Sequence, residues 1–549
     1  MEANPVRIIQ YFDGEKQSLI PLFQRQYTWN KKNWQSLWDD ILTHYSLGAD
    51  SSHFMGALVS IPARTVPVGV TKHLIIDGQQ RLTTIAVLLC ALRDSMEGRF
   101  QDRIQDFLTN RHCDGTADHL KLLPTQVDRE VYSRLVVDRN VIPEHPLGQA
   151  YQFFIEALQG EDEDGEPLDH QRIFDTVTRC LQVVMINLGE ADDPYLIFES
   201  LNYKGVPLTQ ADLVRNYVLM KFRHEASSGG DQERVYRQLW QPIEASTGEH
   251  LSEFLRHYAS LGGNNVKKPQ VYATIKASLC DMNSAAIEKR LGEIKEFAAH
   301  YQKVVEPACE PDAAICSRLQ AVNQIEISVC YPLLLQFLRS RAEGRIAPAE
   351  LCQCIDMIIS FVVRRAACEI IRGPMNRLFI RHAGKYPDRG DVVAWFRGEL
   401  LGGARSERWP DDDEFAKALR TNNIYGTKPA RVILQGLENA FVRKERVVDE
   451  ELSIEHVMPQ SLTDAWKERL GPDFGTVHKD LLHTLGNLTL TGYNAELGNK
   501  SFEQKQLYFE ESNIAMNRLI AKTPTWGRAQ IERRADELAA KALTIWTRK

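Results

Sequence analysis

The stretch Glu455-His456-Val457-Met458-Pro459-Gln460 sets a carboxylate beside an imidazole at the end of a short apolar run. About thirty residues later comes Leu485-Gly486-Asn487-Leu488-Thr489-Leu490, followed by Asn494, Asn499 and Lys505. Phosphodiester hydrolysis needs little more than an activated water and a cation on the phosphate and leaving oxygen. A histidine near its ordinary pKa takes the proton of water at neutral pH, and His456 suits that role. Glu455 offers a hard oxygen ligand for Mg²⁺ or Mn²⁺. Adjacent side chains on a strand point to opposite faces, so the pair serves one site only if the strand ends there. Pro459 makes such a break. His483, four residues before Asn487, could contact phosphate or substitute in the site. A histidine ahead of an apolar turn is also a common packing residue, so E-H-x-x-P alone decides nothing.

A second group of residues lies near the start. Leu74-Ile75-Ile76-Asp77-Gly78-Gln79-Gln80-Arg81-Leu82-Thr83-Thr84 reads as a strand, a tight turn and a helix start. Helix N-termini turn unpaired N–H groups toward anions. Gly78 allows close approach of a ligand, Arg81 can fork onto a phosphate, and Thr83 or Thr84 can add a hydroxyl. Asp77 could hold a metal, orient a water or simply cap the helix. Upstream, Gln24, Arg25, Tyr27 and Trp29 combine a phosphate-binding cation with two rings able to stack on a base. Those rings suit a strand-edge core equally well.

These residues must be held by recognisable elements. Segment 18–23 is short and apolar, and Trp34, Leu37, Trp38, Ile41 and Leu42 recur at helical spacing. Strands are expected at 54–61, 73–76 and 183–188, with helices at 80–96 and 194–201. Ala226-Ser227-Ser228-Gly229-Gly230-Asp231 has the composition of a linker. From 232 to about 400 the pattern is almost wholly helical. There Arg364, Arg365, Arg372 and Asn376 suit a solvated helix face better than a DNA contact. The final helix places Ile531, Ala535, Leu538, Ala542 and Ile545 on one face. Three regions result: 1–225, 226–404 and 405–549.

A chain of 549 residues is too long for one core. The net charge of −7 and pI near 6.1 argue against a protein that coats DNA indiscriminately. A local basic face survives, since residues 500–549 carry ten Lys/Arg against six Asp/Glu. The longest apolar run, 327–338, is too short for a bilayer, and no secretory signal opens the chain. The ten cysteines form no C-x-x-C pair and end at Cys368, which fits reduced thiols in a cytoplasm.

The C-terminal residues, with Phe502 and Lys505, resemble the DUF1524 branch of HNH endonucleases, which use a ββα-metal fold. The resemblance implies His456 as general base, Asn487 as the residue that orients it, and Glu455 with Asn494 or Asn499 at the metal. The N-terminal residues resemble the DUF262 family, a ParB/sulfiredoxin-like fold. Ile20-Pro21 ahead of Gln24 agrees, as do Glu199, Asn202, Gly205 and Asp212-Leu213-Val214-Arg215-Asn216. Arg215 is equally placed for a surface pair with Asp212. Together the two describe an α+β multidomain chain like GmrSD-type modification-dependent restriction enzymes. The stretch Gln10-Tyr11-Phe12-Asp13-Gly14-Glu15-Lys16-Gln17 is similar to their phosphorothioate-sensing SspE type.

The resemblance implies that Asp77, Gly78, Gln79, Gln80, Arg81 and Thr83 bind NTP (GTP or ATP) and support its hydrolysis. Gln24, Arg25, Tyr27 and Trp29 would line the same pocket or sense modified phage or plasmid DNA. His483, Lys505, Glu199 and Asn202 are accessory candidates. The same residues also suit a nucleotide-switched DNA-binding protein whose HNH fold is only a grip, or a nuclease whose N-terminal fold only binds DNA. A homo-oligomer is left open.

Overall fold

A computed structural model describes residues 2–21, 24–48, 51–62, 70–187, 209–222, 230–371, 373, 375–441 and 452–548. The fold is mixed α+β and mostly helical. Packing divides it into two units, 1–242 with 275–291, and 243–274 with 292–549.

The first unit is built on a mixed six-stranded sheet in the order β1-β6-β3-β4-β2-β5. Its strands are β1 (Glu2–Arg7), β2 (Lys16–Leu19), β3 (His53–Pro62), β4 (Thr71–Asp77), β5 (Leu122–Leu123) and β6 (Leu181–Asn187). The amphipathic helix α1 (Lys31–Leu47) forms where the spacing predicts, burying Trp34, Leu37, Trp38 and Ile41. Helix α2 (Gln79–Asp94) follows β4 and is buried along nearly its whole length. An apolar helix without a solvent face becomes the centre of a domain, and α2 is that centre. The helix expected at 194–201, with Glu199 and Asn202, lies outside the described residues. So does most of the linker expected at 226–231.

In the second unit one hydrophobic core runs from Val304 to Trp546 and includes Leu485, Leu488 and Leu490. The boundary expected at 404/405 therefore falls inside a continuous core. Arg364 and Arg365 are not on a solvated face. Both are buried in the helix Pro348–Ala367, donating to the carbonyls of Trp546, Pro410, Arg408, Ser406 and Ile371. Arg372 is outside the described residues. Among the described residues this unit has the strands β7 (Ser453–His456) and β8 (Leu488–Thr491), with the helices Asn494–Leu497 and Phe502–Glu511 after them. A smaller core of Val457, Met458, Trp466, Leu497, Phe502 and Trp526 lies beneath them.

All ten cysteines are free thiols. Among the described residues no helix is long and apolar enough to cross a membrane.

Candidate functional site

Strand β7 runs antiparallel to β8, with Glu455 opposite Thr489 and His456 opposite Leu488. Past His456 the chain leaves the ladder, and the Val457 N–H donates to the Asn487 carbonyl at 3.0 Å. The Asn487 side chain then locks the turn. Its Oδ1 accepts from the Met458 N–H at 2.7 Å and from the Trp526 indole at 3.2 Å. Its Nδ2 donates to the carbonyls of Met458 and Leu482, each at 2.9 Å. The buried amide is thereby satisfied by the main chain and Trp526. Asn487 touches the backbone after His456 rather than the ring.

Arg534, on the helix Arg528–Ile545, supports the Leu485–Leu488 turn from the other side. Its Nη1 donates to the carbonyls of Leu485, Gly486 and Leu488 at 3.2, 2.8 and 2.8 Å. Burial draws its pKa down to about 10, which leaves it charged at neutral pH. Position 486 must be glycine for this helix to come so close, since a Cβ would sit 2.2 Å from the Ile531 carbonyl oxygen.

His456 is 5% exposed. Its Nε2 lies 3.1 Å from His483 Nδ1, and its Nδ1 lies 3.4 Å from Gln460 Nε2. In the tautomer that satisfies both contacts, Nε2 carries the proton and donates to His483, leaving the Nδ1 lone pair beside Gln460. Burial, then the neighbouring His483, Lys505 and His478, pulls the imidazole down to about 4. The sequence led us to expect a near-natural pKa; burial, with the Lys505 ammonium close by, moves it. The ring is therefore neutral at pH 7, as an acceptor must be.

Glu455 is buried as well, and its Oε1 accepts from Lys505 Nζ at 2.5 Å. The same ammonium donates to the His456 carbonyl at 2.8 Å. Burial raises Glu455 and lowers Lys505, and each partner opposes the other's shift. Asn494 and Asn499 are exposed, on the short helix Asn494–Leu497 and the turn after it. Among the described residues no three His, Cys, Asp or Glu side chains are grouped to hold a metal ion. For Glu455 to take an ion it would have to release Lys505.

In the first unit, β4 ends at Asp77 and α2 starts at Gln79. Between them Gly78 takes φ +92°, a left-handed conformation that suits glycine. Arg81 Nη1 donates to the Met55 carbonyl at 2.7 Å, and its Nη2 lies 3.7 Å from Asp77 Oδ2. Arg25 is half-buried, and burial lowers its pKa against the pull of Asp212 and Asp77, with Arg215 also close. Arg215 pairs with Asp212 at 2.8 Å. Among the described residues the buried Oε1 of Gln79 has no hydrogen-bond partner. Arg25, Asp77, Arg81, Asp212 and Arg215 thus form a charged group at the mouth of α2.

Other residues expected there hold the chain together instead. Gln24 donates to the Ile76 carbonyl at 2.7 Å, and Gln80 accepts from the N–H groups of Thr28 and Trp29. Tyr27 is 3% exposed, and its hydroxyl bonds Thr84 Oγ1 at 2.7 Å and accepts from the Trp34 indole at 2.8 Å. It is a core residue and cannot stack on a base. Trp29 is half-buried against the same core, and Thr83 is buried. Arg534 and Trp526 escaped the sequence, because only folding brings them to the motif.

Residues 8–219 match the model of the GmrSD restriction endonuclease N-terminal domain, and residues 409–541 match that of the C-terminal domain. The chain belongs to the GmrSD restriction endonuclease family, which implies nuclease activity and DNA as substrate. No curated protein matches the chain.

Proposed function

We propose that the chain is a modification-dependent DNA endonuclease of anti-phage defence. Its N-terminal ParB-like domain reads modified DNA, phosphorothioate or a modified base, and hydrolyses NTP, GTP before ATP. Its C-terminal HNH domain of ββα-metal type nicks or cleaves DNA with a divalent ion. The observation that carries this is His456: neutral, at the end of a hairpin, its backbone fixed by Asn487, its one acceptor nitrogen, Nδ1, facing Gln460 at 3.4 Å, a contact an attacking water would replace. Because HNH chemistry reads little sequence, a separate sensor has to gate it. The negative net charge suits recognition by a specific pocket rather than by bulk attraction.

For the N-terminal part, support comes from the α2 N-terminus, Gly78 and the arginines 25 and 81 beside Asp77. Backbone N–H groups and guanidinium groups together suit a polyphosphate.

The test is a plasmid panel bearing glucosylated, methylated, phosphorothioate or no modification, incubated with Mg²⁺ or Mn²⁺ and each NTP. Cleavage confined to one modification and dependent on NTP supports the proposal. Cleavage indifferent to both contradicts it. A second reading, a nucleotide-switched DNA-binding protein, is favoured by the Glu455–Lys505 pair, which occupies the expected ligand. It requires that the unmutated protein bind DNA without cutting it.

A further inference from the structure

Tyr425 belongs to none of the motifs, yet it lies on the two histidines of the site. It is on the connection between the helices Asp412–Thr421 and Ala430–Asn439. Its ring stacks on His483, with centroids 5.4 Å apart and planes 12° from parallel. The same ring meets His456 edge-on at 4.5 Å.

The connection is fixed from several directions. The N–H groups of Ile424 and Tyr425 both donate to the His483 carbonyl, at 3.0 and 3.3 Å. Gly426 N–H closes on Asn423 Oδ1 at 2.8 Å, and the Thr427 hydroxyl closes on the Ile424 carbonyl at 2.8 Å. Ile424 itself is fully buried. A ring held so firmly would normally be covered, but Tyr425 is 39% exposed. Packing explains the contact with His483. It does not explain an open aromatic surface beside the catalytic imidazole.

A rigid, half-open aromatic ring next to a base for phosphodiester hydrolysis has one chemical use that its neighbours lack. With one face against His483, the exposed remainder of the Tyr425 ring is what a nucleobase could stack on, and such stacking tolerates any base. The geometry points to Tyr425 as the stacking platform for the nucleobase adjoining the scissile phosphate. The base must leave its own stack to reach the ring, so the site takes strands that are single or melted at the cut in preference to closed duplex. This rests on His456 as the base of phosphodiester cleavage.

The test uses the full chain, the variants Tyr425→Leu, Tyr425→Phe and His456→Ala, and two readouts. The first is steady-state cleavage of a labelled single strand and of its duplex. The second is fluorescence of 2-aminopurine placed next to the cut, with thermal melting as the check on folding. Tyr425→Leu should raise KM on the single strand roughly 5- to 150-fold, the range that base–aromatic stacking corresponds to, with kcat within about twofold. Tyr425→Phe should restore KM, and the quenching seen with His456→Ala should vanish when Tyr425→Leu is added. An unchanged KM and quench in Tyr425→Leu overturns the proposal, as does a loss confined to kcat, which would make Tyr425 a support for His483 alone. If the unmutated chain cuts nothing, the reading of His456 fails, while the quench, which needs no cleavage, still decides the role of Tyr425.

Discussion

Lys505 Nζ lies 2.5 Å from Glu455 Oε1, and both side chains are shut away from solvent. Removing one partner of a buried ion pair strands the other charge. Lys505→Met should therefore cost about 3–5 kcal/mol in urea unfolding. The double variant Glu455→Leu, Lys505→Met should recover most of that loss. A single variant as stable as the parent would show that the pair is not structural, and would return Glu455 to the role of a free ligand.

Asn487 joins the turn after His456 to Leu482 and Trp526 through four hydrogen bonds. Asn487→Ala leaves several buried groups unpaired and should destabilise by about 3 kcal/mol or more. Asn487→Asp should be worse, because a carboxylate would face the carbonyl oxygens of Met458 and Leu482. Thermal melting of the two variants decides the order, and Asp tolerated better than Ala would contradict it.

The acid limb of cleavage follows from His456. Its folded pKa, about 4, lies below its ordinary 6.5. The neutral base thus persists well below pH 6.5, and kcat/KM should fall only as pH approaches 4. The sign for stability agrees. The unfolded chain takes the proton first, so stability from this group is complete above pH 6.5 and is lost as pH falls toward 4. His456→Gln should flatten that slope. An acid limb centred on 6.5 would contradict the assignment.

Nucleotide turnover tests the first unit. Asp77→Ala or Arg81→Ala should abolish NTP hydrolysis with circular dichroism unchanged. Gly78→Ala should cost about 1–2 kcal/mol, because a side chain there is forced into the left-handed region. Full phosphate release by both charge variants would remove the site.

Much of the fold could be read from local pattern. Trp34 to Ile41 form a helix because their spacing leaves one buried face, whereas the apolar run of α2 forms a helix buried almost all round. Strand β7 ends at His456, ahead of Pro459, where the two side chains needed a break. What could not be read depended on distant partners. Lys505 meets Glu455 from 50 positions away, and Arg534 reaches Leu485 across 49. Arg364 and Arg365 look like a solvated pair until the carbonyls of a remote turn and Trp546 enclose them. Tyr27 has the chemistry of a stacking residue, but its hydroxyl pairs with Thr84 inside the core.

The central claim is that the imidazole of His456 activates the water that cuts DNA. Its most direct measurement is cleavage of modified supercoiled plasmid by the full chain and by His456→Ala, side by side, with Mg²⁺ or Mn²⁺ and NTP. Nicked or linear product from the parent, and a rate at least about 10²-fold lower from a variant that still binds DNA, is the result predicted. Equal rates from the two proteins would contradict it.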